Sequence, residues 1–314
     1  MKWLTLLMLL PALVQAATEY APVEVEMRLR QVGPHSYYVQ GAAGAATENK
    51  GFISNAGVVV TGKGVVVIDA LGSPSLAQKL RRLIAGITDQ PVVKVLLTHY
   101  HADHIYGLQV FKDEGAEIVA PKGAFEYLDS EAATNRLEER RVSLFPWVDE
   151  NTRLVPPDRL VDGVERFTLG EVSFRLNYLG KAHADGDMTI FVEPDRVLYS
   201  GDIIFEGRVP FVGDADTRHW LETLDAFQAG GTAALVPGHG PAAADPAAAI
   251  RLTRRYLARL RQVMGEAVGD MEDFETAFES ADWSEFADLP AFEAAHRVNA
   301  YNVYLSMEAE SLEE

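Results

Sequence analysis

Residues 98–104 read THYHADH, so three of the chain's eight histidines stand beside one aspartate within a few positions. In an extended segment, residues two apart point the same way, so His99 and His101 can reach one cation together. If the chain then turns, Asp103 and His104 face a second point a few ångströms away. Imidazole and carboxylate are the usual zinc ligands where no thiolate competes, and this chain has no cysteine. Two donor groups aimed at two points suggest two metal ions.

Four donors do not complete two sites, so the remainder must come from the ends of other strands. Three candidates stand out: His183 in GKAHADGD, Asp202 in YSGDIIF and His239 in VPGHG. Each follows an expected strand and has a glycine within the three residues before it, which lets the backbone turn sharply and aim the side chain. A carboxylate such as Asp202 can also bridge two cations. His35, His219 and His296 lack such company and read as ordinary hydrogen-bonded residues.

The elements that must position these donors follow from pattern. Residues 17–34 read as extended and 41–51 as a loop. FISNAGVVVTGKGVVVIDA reads as two strands around a turn at Thr61-Gly62-Lys63-Gly64. Ser73-Pro74 starts a helix with Leu76, Leu80, Leu83 and Ile84 on one face, and Gly86 stops it. Strands are expected over 92–97, 116–120, 172–180, 188–193, 196–201 and 233–237. Helices are expected over 123–145 and 217–230, and a long one begins at Asp245-Pro246 with Ile250, Leu257, Leu260 and Met264 at helical spacing.

Composition narrows the function. The chain has 314 residues and a formal charge of −18, from 28 basic and 46 acidic residues. That sign repels phosphate backbones and anionic lipid and so disfavours nucleic acid as a partner; the partner expected from the donor residues is a small-molecule substrate. MKWLTLLMLLPALVQA has Lys2, an apolar run from Trp3 to Leu10, and small residues ending at Ala16. This is the order of a secretory signal, and the run is too short to span a bilayer core of about 30 Å. Export follows as an expectation, to a bacterial periplasm or beyond, with no stable membrane insertion after cleavage. Without cysteine there is neither a disulfide nor a thiolate nucleophile.

Taken together, these motifs resemble the metallo-β-lactamase superfamily of metal-dependent hydrolases. The residues that carry the resemblance are THYHADH, Ala182-His183, Ser200-Gly201-Asp202 and Pro237-Gly238-His239-Gly240, within residues 30–245. The resemblance implies an α/β (α+β) fold, the four-layer αββα sandwich, with metals at one edge of two packed sheets. It implies that His99, His101 and His183 hold one metal, that Asp103, His104 and His239 hold the second, and that Asp202 bridges them. Residues 1–16 are then a signal, 17–246 the catalytic domain and 247–314 a helical extension packed on it. The best-known antibiotic-hydrolysing members carry cysteine where Asp202 stands and lysine three residues later, where this chain has Phe205. Aspartate there is similar to the glyoxalase II and general hydrolase branches, and His101 departs from the flavodiiron branch. GFISNAGVVVTGKGVVVIDAL before the cluster most resembles periplasmic hydrolases associated with sulfur-oxidation and quinoprotein systems.

The expected activity is that of an exported dinuclear zinc hydrolase, with iron or manganese as alternative metals. A hydroxide bridging the ions attacks the carbonyl of an ester, thioester or lactam, and Asp103 is the catalytic residue that orients it and passes a proton. Asp69 is a candidate to fix one imidazole. One rival is a mononuclear iron dioxygenase acting on sulfur through His99, His183 and Asp202. Another is a non-catalytic metal-binding partner of a redox complex. Arg136, Arg140, Arg141 and Arg208 read as solvated charges that could otherwise hold an anion. Phe145 and Trp147, around Pro146, read as loop packing or a pocket mouth.

Overall fold

The computed structural model describes residues 19–227 and 230–313. The signal segment expected over 1–16 therefore lies outside the described residues. Seven strands form the first sheet: β1 (Arg30–Gln31), β2 (Ser36–Val39), β3 (Ala56–Val60), β4 (Val65–Ile68), β5 (Val92–Leu96), β6 (Glu117–Pro121) and β7 (Arg159–Val161), neighbours in that order. Five form the second: β8 (Val164–Leu169), β9 (Val172–Gly180), β10 (Asp187–Val192), β11 (Val197–Gly201) and β12 (Ala234–Pro237), in the order β12-β11-β10-β9-β8. The helices are α1 (Pro74–Ala85), α2 (Ala102–Ile105), α3 (Leu108–Asp113), α4 (Ala124–Leu128), α5 (Glu131–Ser143), α6 (Thr217–Ala226), α7 (Pro246–Gly269), α8 (Phe274–Ser280) and α9 (Phe292–Glu313).

The layering follows from the two-residue period of the strands. In β4, Val65 and Val67 pack with Leu76, Leu80 and Phe111 of α1 and α3. Val66 and Ile68 point the other way and pack with Phe174, Ile190 and Tyr199 of the second sheet. A strand buried on both faces has to be apolar throughout, which is why VVVI carries no alternation. The outer face of the second sheet, with Leu198 and Leu235, packs against Trp220 and Leu224 of α6 and Leu257 and Leu260 of α7. Helix, sheet, sheet and helix thus stack as four layers. Among the described residues no helix is long and apolar enough to cross a membrane.

Local signals explain most boundaries. Ser73 caps α1 by accepting from the Leu76 N–H at 3.1 Å, and Asp245 caps α7 by accepting from Ala248 at 3.0 Å. The helix expected over 123–145 is instead two helices. Ser130 interrupts it, because its hydroxyl caps α5 through the Ala133 N–H at 3.1 Å and bonds the Tyr127 carbonyl at 2.7 Å. The helix expected to reach 230 ends at Ala226, where Phe227 turns extended. Strands β1, β2, β7 and β8 escape the sequence pattern. β8 is an edge strand with Val164 exposed and Glu165 and Arg166 within it, so its alternation is weak.

Candidate metal centre

The singled-out donors gather at one end of the sandwich. His99 and His101 follow β5, and Asp103 and His104 lie in α2. His183 lies in the connection from β9 to β10, Asp202 follows β11, and His239 stands just beyond β12. These strands all deliver their carboxyl ends to the same edge, so one geometric rule accounts for every donor.

Their atoms converge closely. The ring centroids of His99 and His101 lie 4.6 Å apart, those of His101 and His183 4.7 Å, and those of His99 and His183 5.0 Å. His101 Nδ1 and His183 Nε2 approach to 3.0 Å. On the other side, Asp103 Oδ2 lies 3.2 Å from His239 Nε2 and 3.6 Å from His104 Nε2. Asp202 stands between the two sets. One of its oxygens is 3.4 Å from His104 Nε2, and the other is 3.4 Å from His183 Nε2 and 3.2 Å from His239 Nε2.

A ring of supporting bonds aims each imidazole. Asp69, at the end of β4 and in the left-handed region (φ 59°), accepts from the Thr98 N–H and hydroxyl at 2.8 Å each and from His104 Nδ1 at 2.9 Å. The Thr98 hydroxyl lies 3.0 Å from His99 Nδ1; having given its own proton to Asp69, it accepts there. His239 Nδ1 donates to the Ile53 carbonyl at 2.8 Å. These partners fix Nδ1–H tautomers and leave Nε2 of His99, His104 and His239 facing the cluster. Asn55 ties the His239 turn to the first sheet by donating to the carbonyls of Pro237 (2.7 Å) and Gly240 (2.9 Å). Asp187 pins the His183 turn by accepting from the N–H groups of Ala182 (3.1 Å) and Ala184 (2.8 Å), and burial pushes its carboxyl up to about 8. Gly238 has no alternative: a Cβ there would lie 1.8 Å from Asp202 Oδ1.

The electrostatics match a cation site. Burial drives His99 and His101 toward the neutral form, and His183 down to about 3. Burial alone would raise Asp103 and Asp202, but the neighbouring imidazoles of His104 and His239 outweigh it and hold both carboxyls below the usual range. The same carboxylates overcome burial to raise His104 and His239. Neutral imidazoles and ionised carboxylates are the forms that bind a metal, so His99, His101 and His183 stand ready, while a cation between the carboxylates would take the place of the protons on His104 and His239.

The fit to metal rests on orphaned atoms. His99 Nε2, His104 Nε2, His183 Nδ1 and Asp202 Oδ1 are buried with no hydrogen-bond partner. Buried polar atoms ordinarily have partners, and the orphaned His99 Nε2, His104 Nε2 and Asp202 Oδ1, which belong to one donor triple, call for an ion, whereas His183 turns its other nitrogen, Nε2, toward Asp202 and His101. Three donor triples each lie within 4.8 Å: His99, His101 and His183; His99, His104 and Asp202; Asp103, His104 and His239.

The remaining candidates lie elsewhere. His35 bonds Asp195, His219 bonds the Leu179 carbonyl at 3.0 Å, and His296 sits among Phe278, Trp283 and Phe292. Arg136 and Arg140 pair with Glu139 at 3.6 and 3.4 Å, and Arg141 straps the Asp149 and Thr152 carbonyls. Phe145 is exposed, and Trp147 donates to the Pro22 carbonyl at 3.0 Å, so that stretch packs a loop. Arg208 corrects the expectation of a solvated charge, being only 2% exposed. Thr98, Asn55 and Asp187 were not anticipated. Of these, Asp187 had a signal, since it closes GKAHADGD four residues after His183.

The family model described as the metallo-beta-lactamase superfamily matches residues 49–239, a span that holds every donor named above. The chain is 28% identical over 183 residues to a metallo-beta-lactamase type 2 of Elizabethkingia meningoseptica, covering 56% of this chain and 64% of that protein. It is 25% identical over 178 residues to the 2,4-dinitroanisole O-demethylase subunit alpha of Nocardioides sp. (strain JS1661), covering 56% of this chain and 49% of the relative. The chain thus spans less than two thirds of either relative. Among solved structures, the stereoselective inverting sec-alkylsulfatase Pisa1 from Pseudomonas sp. matches with a TM-score of 0.71 at 20% identity, over 89% of this chain and 50% of that one. A metallo-beta-lactamase from Pontibacter korlensis matches with a TM-score of 0.60 at 18% identity, over 74% of this chain and 99% of that one. At these identities the structures speak for the fold.

Proposed function

We propose, from the premise that this chain belongs to the metallo-beta-lactamase superfamily, that it is a two-zinc hydrolase acting on the carbonyl of an ester, thioester or lactam. The observation that carries the reading is the overlap of the three donor triples. On this reading His99, His101 and His183 hold one ion, Asp103, His104 and His239 the other, and Asp202 lies between. Bound zinc would lower the pKa of water from 15.7 to about 7 and polarise the substrate carbonyl.

The chain's own residues supply the rest. His101 and Asp103 are the less buried donors and mark the side open to substrate. The Asp103 carboxylate, held ionised beside His239, orients the attacking water and moves its proton toward the leaving group. Asp69, through His104 and Thr98, keeps two imidazoles aimed. Trp220 and Phe205, with ring centroids 5.2 Å from His183 and 5.6 Å from His239, wall the donors off from bulk water. A mononuclear iron site built on His99, His183 and Asp202 would leave Asp103, His104 and His239 without a task. Export is part of the proposal, on the pattern of residues 1–16 alone.

The test is metal content by mass spectrometry, followed by a hydrolysis screen over thioesters, lactones and β-lactams. About two zinc per chain and turnover of one class are expected, with turnover falling at least about a hundredfold in Asp103→Ala. One iron per chain, or an Asp103→Ala variant that keeps most activity, would overturn the reading.

A further inference from the structure

Helix α9 is apolar on two sides. Its inner side, with Ala295, Ala300 and Val303, is buried with Tyr256, Leu260 and Met264 of α7. Its outer side carries Val298, Tyr301, Leu305 and Leu312, which are between 43% and 87% exposed. At 3.6 residues per turn these four fall within about 60° of one another, and the exposed Ala294 joins the same stripe. No other helix among the described residues shows water such a row; α7, of similar length, exposes no large apolar side chain. A helix that is apolar on opposite sides belongs inside an assembly, and a continuous exposed apolar row marks a contact surface.

The charges at its border say what it contacts. Arg297 and Glu308 flank the stripe on one edge, within about 20° of each other around the helix. Arg297 pairs with Glu275 of α8, and its side chain stays half-exposed. Glu308 is exposed and, among the described residues, takes part in no ion pair. The helical rise sets the two about 16 Å apart, so they cannot meet within one chain. Tyr304, on the same edge, donates to the Glu272 carbonyl at 3.0 Å, and the adjoining Met271 is 92% exposed, which widens the apolar face.

This face is complementary to itself. Let two copies of α9 lie antiparallel about a two-fold axis level with Val303. Tyr301 of each copy then stands opposite Leu305 of the other, and Ala294 opposite Leu312. Such an axis carries each edge of the stripe onto the same edge of the second helix. Arg297 of one copy therefore meets Glu308 of the other, about one residue's rise from level, and the pair occurs twice. Parallel packing would instead turn both charges toward the opposite edge, where Asn302 and Ala309 stand. An isologous contact of this kind closes on itself and stops at two copies.

We propose that two copies of this chain associate through the outer face of α9, as an antiparallel helix pair bordered by Arg297–Glu308 ion pairs. The helix lies beyond the residues that match the family model, so the face belongs to this chain's own extension. The pairing also bears on the metal end. From the inner side of α9, Asn299 accepts from the Val212 N–H at 2.9 Å and donates to the Pro210 carbonyl at 2.7 Å, and Asn302 donates to the Gly213 carbonyl at 3.0 Å. A second copy seated on α9 thus steadies the helix that braces the connection from β11 to α6.

Sedimentation equilibrium on the purified chain tests it. Salt of about 0.15 M screens the repulsion between two chains of charge −18 beyond roughly 8 Å. Wild type should sediment at twice the mass of one chain, with a dissociation constant in the micromolar range. Leu305→Glu, at an exposed position, should raise that constant at least about a hundredfold. Glu308→Arg should raise it about tenfold by setting like charges together at both ends of the pair. Adding Arg297→Glu to the same chain should restore most of the affinity, because the exchanged charges meet only across the interface. Circular dichroism on each variant reports that it is folded. Three results would each refute the proposal: a wild type still monomeric at about 100 μM, a dimer untouched by Leu305→Glu, or a double variant that binds no more tightly than Glu308→Arg. A monomer that floats with phosphatidylcholine vesicles would refute it too, and would assign the stripe to a lipid surface. None of these readouts depends on the hydrolase reading.

Discussion

The sandwich carries an aspartate–histidine pair at each end, and the two behave differently. At the metal end, Asp69 holds the Thr98 N–H and His104 Nδ1 at 2.8 and 2.9 Å. At the opposite end, in the turns before β2 and β11, Asp195 holds the His35 N–H at 2.8 Å and His35 Nδ1 at 2.7 Å. Both carboxylates are buried, and both hold one backbone N–H and one imidazole. The free nitrogens differ. His104 Nε2 is buried without a hydrogen-bond partner and looks at Asp103 and Asp202. His35 Nε2 belongs to a side chain 26% exposed and lies 3.9 Å from the exposed Glu171. The pairing itself is therefore a clamp. It becomes part of a cation site only where other donors converge on the far side of the ring.

That contrast can be broken most forcefully at Asp202. Asp202→Ala removes the carboxylate that touches three imidazoles, and activity should fall by several hundredfold to a thousandfold, with metal lost from the chain. Metal analysis and kinetics on the same sample check this; full occupancy would mean that the carboxylate is not shared between the donor sets. A smaller effect is expected at Asp69. Asn in its place turns an N–H toward His104 Nδ1–H, and zinc affinity should fall about tenfold to a hundredfold, read by competition with a chelating dye. The smallest effect belongs to the far end. Asp195→Asn should cost about 1–3 kcal/mol of stability and leave zinc affinity unchanged. Chelation should then destabilise wild type and Asp195→Asn equally, within about 0.5 kcal/mol, since the two sites share no partner. Thermal melts with and without chelator decide it, and a chelation effect that differed between the two proteins would mean that the ends are coupled.

What was legible in the sequence follows the same division. THYHADH was readable because its donors are neighbours in the chain, and a helix as short as α2 brings the His104 ring back to 4.3 Å from that of His99 while Asp103 meets His239. His183, Asp202 and His239 were readable because each follows a strand through a glycine-bearing turn. The burial of Arg208 was not, because it depends on rings and helices brought in from far along the chain. Asn299 of α9 was silent for the same reason: it accepts from the Val212 N–H and donates to the Pro210 carbonyl, partners that lie far back along the chain. The apolar strands β3, β4 and β5 were plain, whereas the half-exposed edge strand β8 was not, because its pattern lacks the contrast that burial produces. The break at Ser130 was missed because a serine inside a helical stretch signals a cap only when the chain before it has already ended a turn.

The spread of the donors along the chain, from His99 to His239, has a consequence for biogenesis. A growing polypeptide released before β12 would own most of the pieces and still lack the last imidazole and the Pro237 and Gly240 carbonyls through which Asn55 seats it. Ion capture at full strength therefore reports that both halves have docked in register. Loading with metal would act as a certificate of completed folding, issued only after the final strand has joined its sheet.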